Sequence, residues 1–433
     1  MNKDNKGRYA RSEAMLARAE RVIPLGSQTF SKSRIQLPKG AAPYFLERGD
    51  GGRVWDVDGN EYVDLVCALL PVVLGYRDRD VDKAVKTQLD RGISFSLATE
   101  LEIELAERLV EIIPCAEMVR FGKNGSDATS GAVRIARAAT GRERIATCGY
   151  HGWQDWYIGS TVRSKGIPDA VGRLTHPFPY NDPGALHGLF KEHSGEFAAV
   201  IMEPMHTHEP KEGFLQEVRQ LAHRNGALFI LDEIITGFRF ALGGAQSLFS
   251  VTPDLACFGK SMGNGMPIAA VVGKAEYMKE MEEIFFSFTF GGEALSLAAS
   301  IAVIDKMRRE PVIETLWERG RTLVDSIREK IRMNGLESTI QLQGFPPWTI
   351  IEIRNHVKAS SQAIQTFFVR EMFREGILVK GSHNLCYAHS PEDLEAVEAA
   401  YDDVLPRIAE QLACGGLSRI PDEDLIRPVF SVR

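Results

Sequence analysis

Apolar and polar positions change period several times along the chain. At residues 11–22 the apolar positions recur at helical spacing, which predicts a short helix. Residues 26–33 are rich in Ser, Thr and Lys and read as a loop. The run Arg53-Val-Trp-Asp-Val-Asp-Gly-Asn-Glu-Tyr-Val-Asp-Leu65 alternates about Asp58-Gly59, a hairpin signal. From about Glu100, helical segments alternate with short apolar runs that end in polar residues. Two examples are Phe197-Ala-Ala-Val-Ile-Met-Glu203 and Ala227-Leu-Phe-Ile-Leu-Asp232. Runs apolar on both faces suit buried parallel strands, so the pattern predicts an α/β sheet covered by helices. After about Arg308 the chain turns helical and then gives a strand-like Trp348-Thr-Ile-Ile-Glu-Ile353. Two amphipathic helices are predicted near residues 362–375 and 391–412, which together suggest a smaller second domain. Residues 415–433 read as an extended tail.

The chain has 433 residues, enough for two domains and a sizeable core. Its net charge of -7 favours neither nucleic acid nor an anionic membrane as a partner. The longest apolar run, residues 66–74, is broken by Pro71 and is too short to span a bilayer. The charged N-terminal run has no apolar core, so no secretory leader is expected there. The six cysteines are widely spaced with no C-x-x-C pair, which points to reduced thiols in the cytoplasm.

Four segments carry candidate chemistry. Phe121-Gly-Lys-Asn-Gly-Ser-Asp-Ala128 leads from a strand end into a helix and puts Gly125 and Ser126 at its N-terminus. Free N–H groups and the positive dipole end make that a phosphate site, although an ordinary capped helix start gives the same pattern. Cys148-Gly-Tyr-His-Gly-Trp153 sets Tyr150 and His151 between glycines. Tyr150 could cover a planar ring, or the segment could be a packed turn. Asp232-Glu233 ends a wholly apolar run. A carboxylate there suits a ligand site at the end of a parallel strand, and equally a structural ion pair. Lys260 follows another apolar run and precedes a glycine-rich turn. A desolvated lysine can attack a carbonyl, whereas a surface loop lysine does nothing of the kind. Glu203, His206 and His208 could suggest a metal site, but no further ligand clusters with them and none is expected.

Taken together, these segments resemble the class III aminotransferases, pyridoxal 5′-phosphate (PLP) enzymes of fold type I, in the branch that contains glutamate-1-semialdehyde aminomutase. The motif Leu231-Asp-Glu-Ile-Ile-Thr-Gly-Phe-Arg239, then Ala241-Leu-Gly-Gly-Ala-Gln246, Val251-Thr-Pro-Asp254 and Gly259-Lys260 stand in family order. The resemblance covers nearly the whole chain. It implies the aspartate aminotransferase-like fold: a mostly parallel central sheet with helices on both faces, plus a smaller α+β domain. It also implies a division into an N-terminal segment (1–65) packing with the small domain, a large PLP-binding domain (66–310) and a C-terminal small domain (311–433).

The resemblance assigns roles as well. Lys260 would hold PLP as a Schiff base. Asp232 would pair with the pyridine nitrogen, with Ile234 on one ring face and Tyr150 on the other. Gly125 and Ser126 would bind the phosphate, His151 and Glu203 would lie by the cofactor, and Thr289 would reach the phosphate of a second subunit in a homodimer. The implied reaction moves an amino group from a small-molecule donor to a carbonyl acceptor.

The departures concern substrate. Leu69 stands where the aminomutase pattern has a tryptophan. Thr29 and Lys32 fall near a serine and an arginine that read a carboxylate there, and Arg34 could substitute with a shift. The C-terminal substrate glutamate has no clean match, and His383 and Asn384 occupy that region. These residues, with His208, are the expected substrate set. An intermolecular aminotransferase acting on a keto sugar, a cyclic ketone or another biosynthetic intermediate is therefore expected. The alternatives are an intramolecular aminomutase and a non-enzymatic PLP-binding protein.

Overall fold

The computed structural model describes residues 7–205 and 207–427. The chain forms two compact units, one of residues 70–73 and 78–314 and one of residues 7–69, 74–77 and 315–427.

The larger unit is built on a seven-stranded sheet. Its spatial order is Met118–Gly122, Ala269–Gly273, Leu255–Phe258, Leu228–Asp232, Phe197–Met202, Arg144–Cys148 and Thr175–Pro177. Ala269–Gly273 runs antiparallel to both of its neighbours, and the remaining pairs are parallel. The two apolar runs singled out in the sequence are central strands, buried at every position. Their side chains divide between two layers at the two-residue strand period. Ala199, Ile201 and Ile230 pack with Ala128, Ala132 and Ala136 of the helix Gly125–Thr140. Val200, Met202, Phe229 and Leu231 pack instead with Phe190, Phe214 and Val218 of two other helices. Alanines on the first helix let it lie close to the sheet, which holds its N-terminus near the strands' carboxyl ends. The mostly parallel sheet with helices on both faces is the architecture expected from the sequence.

The smaller unit contains the expected hairpin, with Arg53–Asp56 antiparallel to Glu61–Asp64. Its turn is fixed by Asp56, whose Oδ1 accepts the N–H of Asp58 at 3.0 Å and of Asn60 at 2.8 Å. The strand Trp348–Ile353 and the helices Ser361–Arg374 and Pro391–Cys414 also lie where the pattern placed them. Two expectations need correction. The first helix ends at Ala19 rather than near residue 22, because Ile23 precedes Pro24 and is extended. Residues 415–427 are not extended. Gly415 closes the preceding helix at φ 69°, and short helical turns follow at Gly416–Arg419 and Asp422–Asp424. Burial of Leu417 and Ile426 holds them down. The rest of that tail lies outside the described residues. No helix among the described residues is long and apolar enough to cross a membrane.

Candidate functional site

The strand Leu228–Asp232 ends in two buried carboxylates with different surroundings. Glu233 turns toward its own loop. Its carboxylate accepts the N–H of Ala245 at 2.7 Å and of Gln246 at 2.8 Å, and the hydroxyl of Thr236. It closes the loop between this strand and the next helical turn. Among the described residues Asp232 has one side-chain partner, the Nδ1 of buried His151, 2.8 Å from its Oδ2. Its Oδ1 accepts the N–H of Ile234 at 3.1 Å. Burial pushes the Asp232 carboxyl up from its ordinary pKa, and the His151 bond opposes that shift. His151 is in turn fixed by its carbonyl, which accepts the Thr129 hydroxyl at 2.8 Å, and by stacking on Trp156. The other ring nitrogen of His151 is buried without a partner among the described residues.

The segment bearing Tyr150 and His151 is held by close backbone approach. The N–H of Tyr150 donates to Glu203 Oε2 at 2.9 Å. Gly149 and Gly152 have φ of 104° and 103°. A Cβ at Gly149 would lie 2.3 Å from Glu203 Oε2, and one at Gly152 would lie 2.2 Å from Ser126 Oγ. Only glycine fits at either position, so this loop is locked between the end of the strand Phe197–Met202 and the helix Gly125–Thr140.

Lys260 follows the strand Leu255–Phe258, whose Cys257 pairs with Asp232 across the sheet. Its φ is 40°, the left-handed region, where a side chain is strained. Part of the residue's surface stays open. Its amine is nevertheless desolvated, which lowers its pKa from 10.5 to about 8. Glu203 and Asp232 raise the value and Arg239 lowers it further. Arg239 is fully buried and donates to the carbonyl of Leu70 at 2.9 Å. The Ser261 hydroxyl, next to Lys260, bonds that same carbonyl at 3.3 Å.

At the helix Gly125–Thr140, Asp127 accepts the N–H groups of Lys123 and Asn124 at 2.9 and 2.8 Å. The N–H groups of Gly125 and Ser126 have no protein acceptor among the described residues. Ile234 packs against this turn, and a Cβ on Gly125 would sit 3.1 Å from its Cδ1.

These residues fit PLP. The free helix N–H groups suit its phosphate. A buried aspartate with a single side-chain partner suits a protonated pyridine nitrogen. The orphaned nitrogen of His151 provides a further polar contact, and a lysine with a lowered pKa provides the attachment amine.

The larger unit thus brings together Lys260, Asp232, Tyr150, His151, Glu203, Ile234, Gly125 and Ser126. Thr289, in the same unit, is exposed beside Phe285, Phe288 and Phe290, which are 80%, 37% and 58% exposed. His208 is exposed with its Nδ1 2.9 Å from the Thr207 hydroxyl, and His206 lies outside the described residues.

The remaining expected substrate residues belong to the smaller unit. Thr29 and Lys32 are exposed, and Arg34 pairs with Glu20. Leu69 is half-buried at φ 74°, one of four successive non-glycine residues, Cys67 to Leu70, with positive φ. His383 is buried, with Nε2 2.7 Å from the Tyr401 hydroxyl. Asn384 is buried and donates to the carbonyl of Val66 at 2.9 Å.

Sequence reasoning gave no role to Thr129 or Arg239. Arg239 stood in the quoted motif, and an arginine set between Phe238 and Phe240 was the available signal. Nor did it foresee that Cys67, Cys386 and His389 converge within 4.8 Å. Both nitrogens of His389 are engaged, by the N–H of Cys386 at 3.0 Å and the carbonyl of Asp64 at 3.1 Å, so this trio leaves no free imidazole ligand.

Comparison with known proteins gives a consistent set of relatives. Residues 36–402 match the model of the class III aminotransferases. The chain is similar to 3-aminobutyryl-CoA aminotransferase of Cloacimonas acidaminovorans, at 36% identity over 94% of this chain and 99% of that protein. It is also similar to glutamate-1-semialdehyde 2,1-aminomutase of Desulforamulus reducens, at 35% identity over 91% of this chain and 97% of that protein. Among solved structures, the PLP form of the FumI protein of Sphingopyxis sp. MTA144 superposes with a TM-score of 0.87 at 31% identity. The match covers 93% of this chain and 97% of that one.

Proposed function

The chain belongs to the class III aminotransferases and uses PLP, and from that premise we propose that it moves an amino group between two separate small molecules by a ping-pong sequence. When bound, the cofactor supplies an electron sink for the carbon that loses or gains the amino group. Lys260 would attach the cofactor and, once released, would take the proton from the donor carbon in one half-reaction and supply a proton to the acceptor carbon in the other. Its lowered pKa, about 8, keeps a neutral amine accessible near physiological pH. Asp232, oriented by His151, holds the proton of the ring nitrogen. Gly125 and Ser126 hold the phosphate through their N–H groups. Ile234 and Tyr150 provide an aliphatic and an aromatic face, and Glu203 positions Tyr150 through its N–H.

What supports this reading most is the bond between Asp232 and His151, with desolvated Lys260 on the adjoining strand end. The acceptor we favour is a carbonyl compound with an acidic group. A keto sugar acid, a cyclic ketone acid or an acyl-CoA of the kind named for the relative from Cloacimonas would qualify. The enzyme acts as a homodimer in this proposal, with Thr289 and its exposed phenylalanines at the subunit contact. Sedimentation that finds an active monomer would overturn that part.

The relatives named as aminomutases support a second reading, return of the amino group to its own substrate. Isotope transfer separates the two. With a ¹⁵N-labelled donor, an aminotransferase passes label to a second carbon skeleton. An aminomutase keeps the label within one skeleton, and that result would replace the proposal.

A further inference from the structure

In the smaller unit, two lysines stand close together without an acidic partner. Lys380 follows the strand Ile377–Leu378 and is half-buried. Its ammonium donates to the carbonyl of Ser31, the residue before Lys32. An ammonium has three donors, and one is used here. Neither Lys380 nor Lys32 forms an ion pair among the described residues. The other cations of this segment are neutralised. Arg34 pairs with Glu20, and Lys39 pairs with Asp424 at 2.9 Å. Glu20 and Asp424 are therefore already committed. Burial is the largest cause, and Lys32 the other, of a Lys380 pKa lowered from 10.5 to about 8. No carboxylate acts on it in return.

Two adjacent cations, one of them half-buried, repel each other and lack a counter-ion among the described residues. A partly buried charge without a partner is costly unless something supplies the opposite charge. Here the described residues do not. We infer that Lys380 and Lys32 together form an anion subsite, taking a carboxylate or phosphate group of a ligand. Two ammoniums with donors to spare match either group through charge-assisted hydrogen bonds. The inference rests on the aminotransferase reading only in treating that ligand as a substrate, and it supplies the feature that reading lacks, a reason for the substrate to be acidic. Lys380 was not among the residues that the sequence pattern singled out.

The test uses the cofactor-loaded protein and reads binding rather than turnover. Lysines are acetylated with N-hydroxysuccinimidyl acetate over a pH series, and each site is quantified by mass spectrometry. Inorganic phosphate and propanoate are the two probes. Lys380 and Lys32 should be protected together by at least one probe, while Lys39, already paired, should not respond. Protection by phosphate alone assigns the subsite to phosphate groups, by propanoate alone to carboxylates, and by both to either. Lys32→Met should abolish protection at Lys380 and move its labelling profile to higher pH, because the repelling neighbour is gone. Lys380→Arg keeps the charge and should retain protection at Lys32, whereas Lys380→Met should remove it. Turnover adds a second readout. Lys380→Met should lower kcat/KM for an anionic substrate by about tenfold or more, with a neutral analogue unaffected. Failure to find any turnover would count against the proposed reaction and leave the labelling result standing. Labelling of both lysines that ignores both anions would overturn the subsite.

Discussion

The carboxyl ends of the central strands and the loop at residues 26–34 both carry charges, but they hold them differently. In the larger unit, Asp232, Glu233 and Glu203 are nearly inaccessible, and neighbouring backbone fixes their orientation. In the smaller unit, Lys32 is exposed and Arg34 and Glu20 are 48% and 40% exposed. A group packed on every side has one geometry, and a solvated one has many. The first region is suited to chemistry that every member of a family performs. The second can be rewritten without disturbing the first, which is where a substrate change costs least.

The largest expected effect tests the packed region. Lys260→Ala should lower turnover by ~10³-fold or more, as loss of a proton-transferring group does. Circular dichroism should show an unchanged fold. Lys260→Gly sharpens the point, because glycine tolerates the φ of 40° at this position. Relief of that strain should stabilise the variant by about 1 kcal/mol in urea titration, while activity is lost. A Lys260→Gly protein that retained turnover would remove this residue from the chemistry.

How far the molecule could be read from its sequence follows the same division. Phe197–Met202 and Leu228–Asp232 were legible because burial on both faces leaves an unbroken apolar run. The hairpin at Arg53–Asp56 and Glu61–Asp64 was legible from its alternation and its Asp58-Gly59 turn. Lys260, Asp232 and Gly125 stood out because strand ends and helix starts are marked by local residue type. What escaped depends on distant pairing. The strand Ser382–Asn384 has three residues and forms only by pairing with Trp348–Ile353, so no local pattern announces it. The bond between His383 and Tyr401 spans 18 residues, and that between Lys380 and Ser31 spans 349. The strand Leu46–Asp50, mostly exposed, has no apolar alternation to find.

His383 provides the next effect. It is buried, its Nδ1 has no partner among the described residues, and burial lowers its pKa from 6.5 to about 4. Between those values the unfolded chain takes up a proton that the folded chain refuses. Stability from this residue is therefore fully present above pH 6.5 and is lost as pH falls toward 4. The loss should approach about 3 kcal/mol at 1.36 kcal/mol per unit. His383→Gln cannot titrate, so its unfolding free energy should fall less over that range. The same acid sensitivity in wild type and variant would show that His383 is not responsible.

Glu233 tests the packed region from its structural side. In Glu233→Gln the amide nitrogen must face one of the backbone donors at Ala245 or Gln246. A lost acceptor of this kind costs about 2 kcal/mol, read as a lower urea midpoint. Turnover per folded molecule should stay near wild type, because Glu233 faces its loop and Asp232 faces His151. A large fall in kcat without a fall in stability would mean that the two adjacent carboxylates share the chemistry.

The smallest expected effect belongs to the exposed region. Arg34 could have been the cation that reads substrate, but its guanidinium lies against Glu20, and both side chains are well exposed. A pair of that kind contributes about 0–1 kcal/mol, since water and salt screen it. Arg34→Met should therefore barely change stability, and it should leave kcat/KM for an anionic acceptor within about twofold, below the loss expected from a direct charge-assisted contact. Raising the salt concentration should not reveal a difference between variant and wild type, because the pair is already screened. The comparison with Lys32 makes the result informative. Lys32 sits two positions earlier on the same loop, is equally open to water, and has no carboxylate partner among the described residues. If charge on this loop acts only through long-range attraction, both substitutions should weaken the acceptor alike and the effect should fade with salt. If a specific contact reads the ligand, only the lysine substitution should matter. An Arg34→Met variant that loses acceptor affinity by an order of magnitude would show that Arg34 leaves Glu20 to bind substrate.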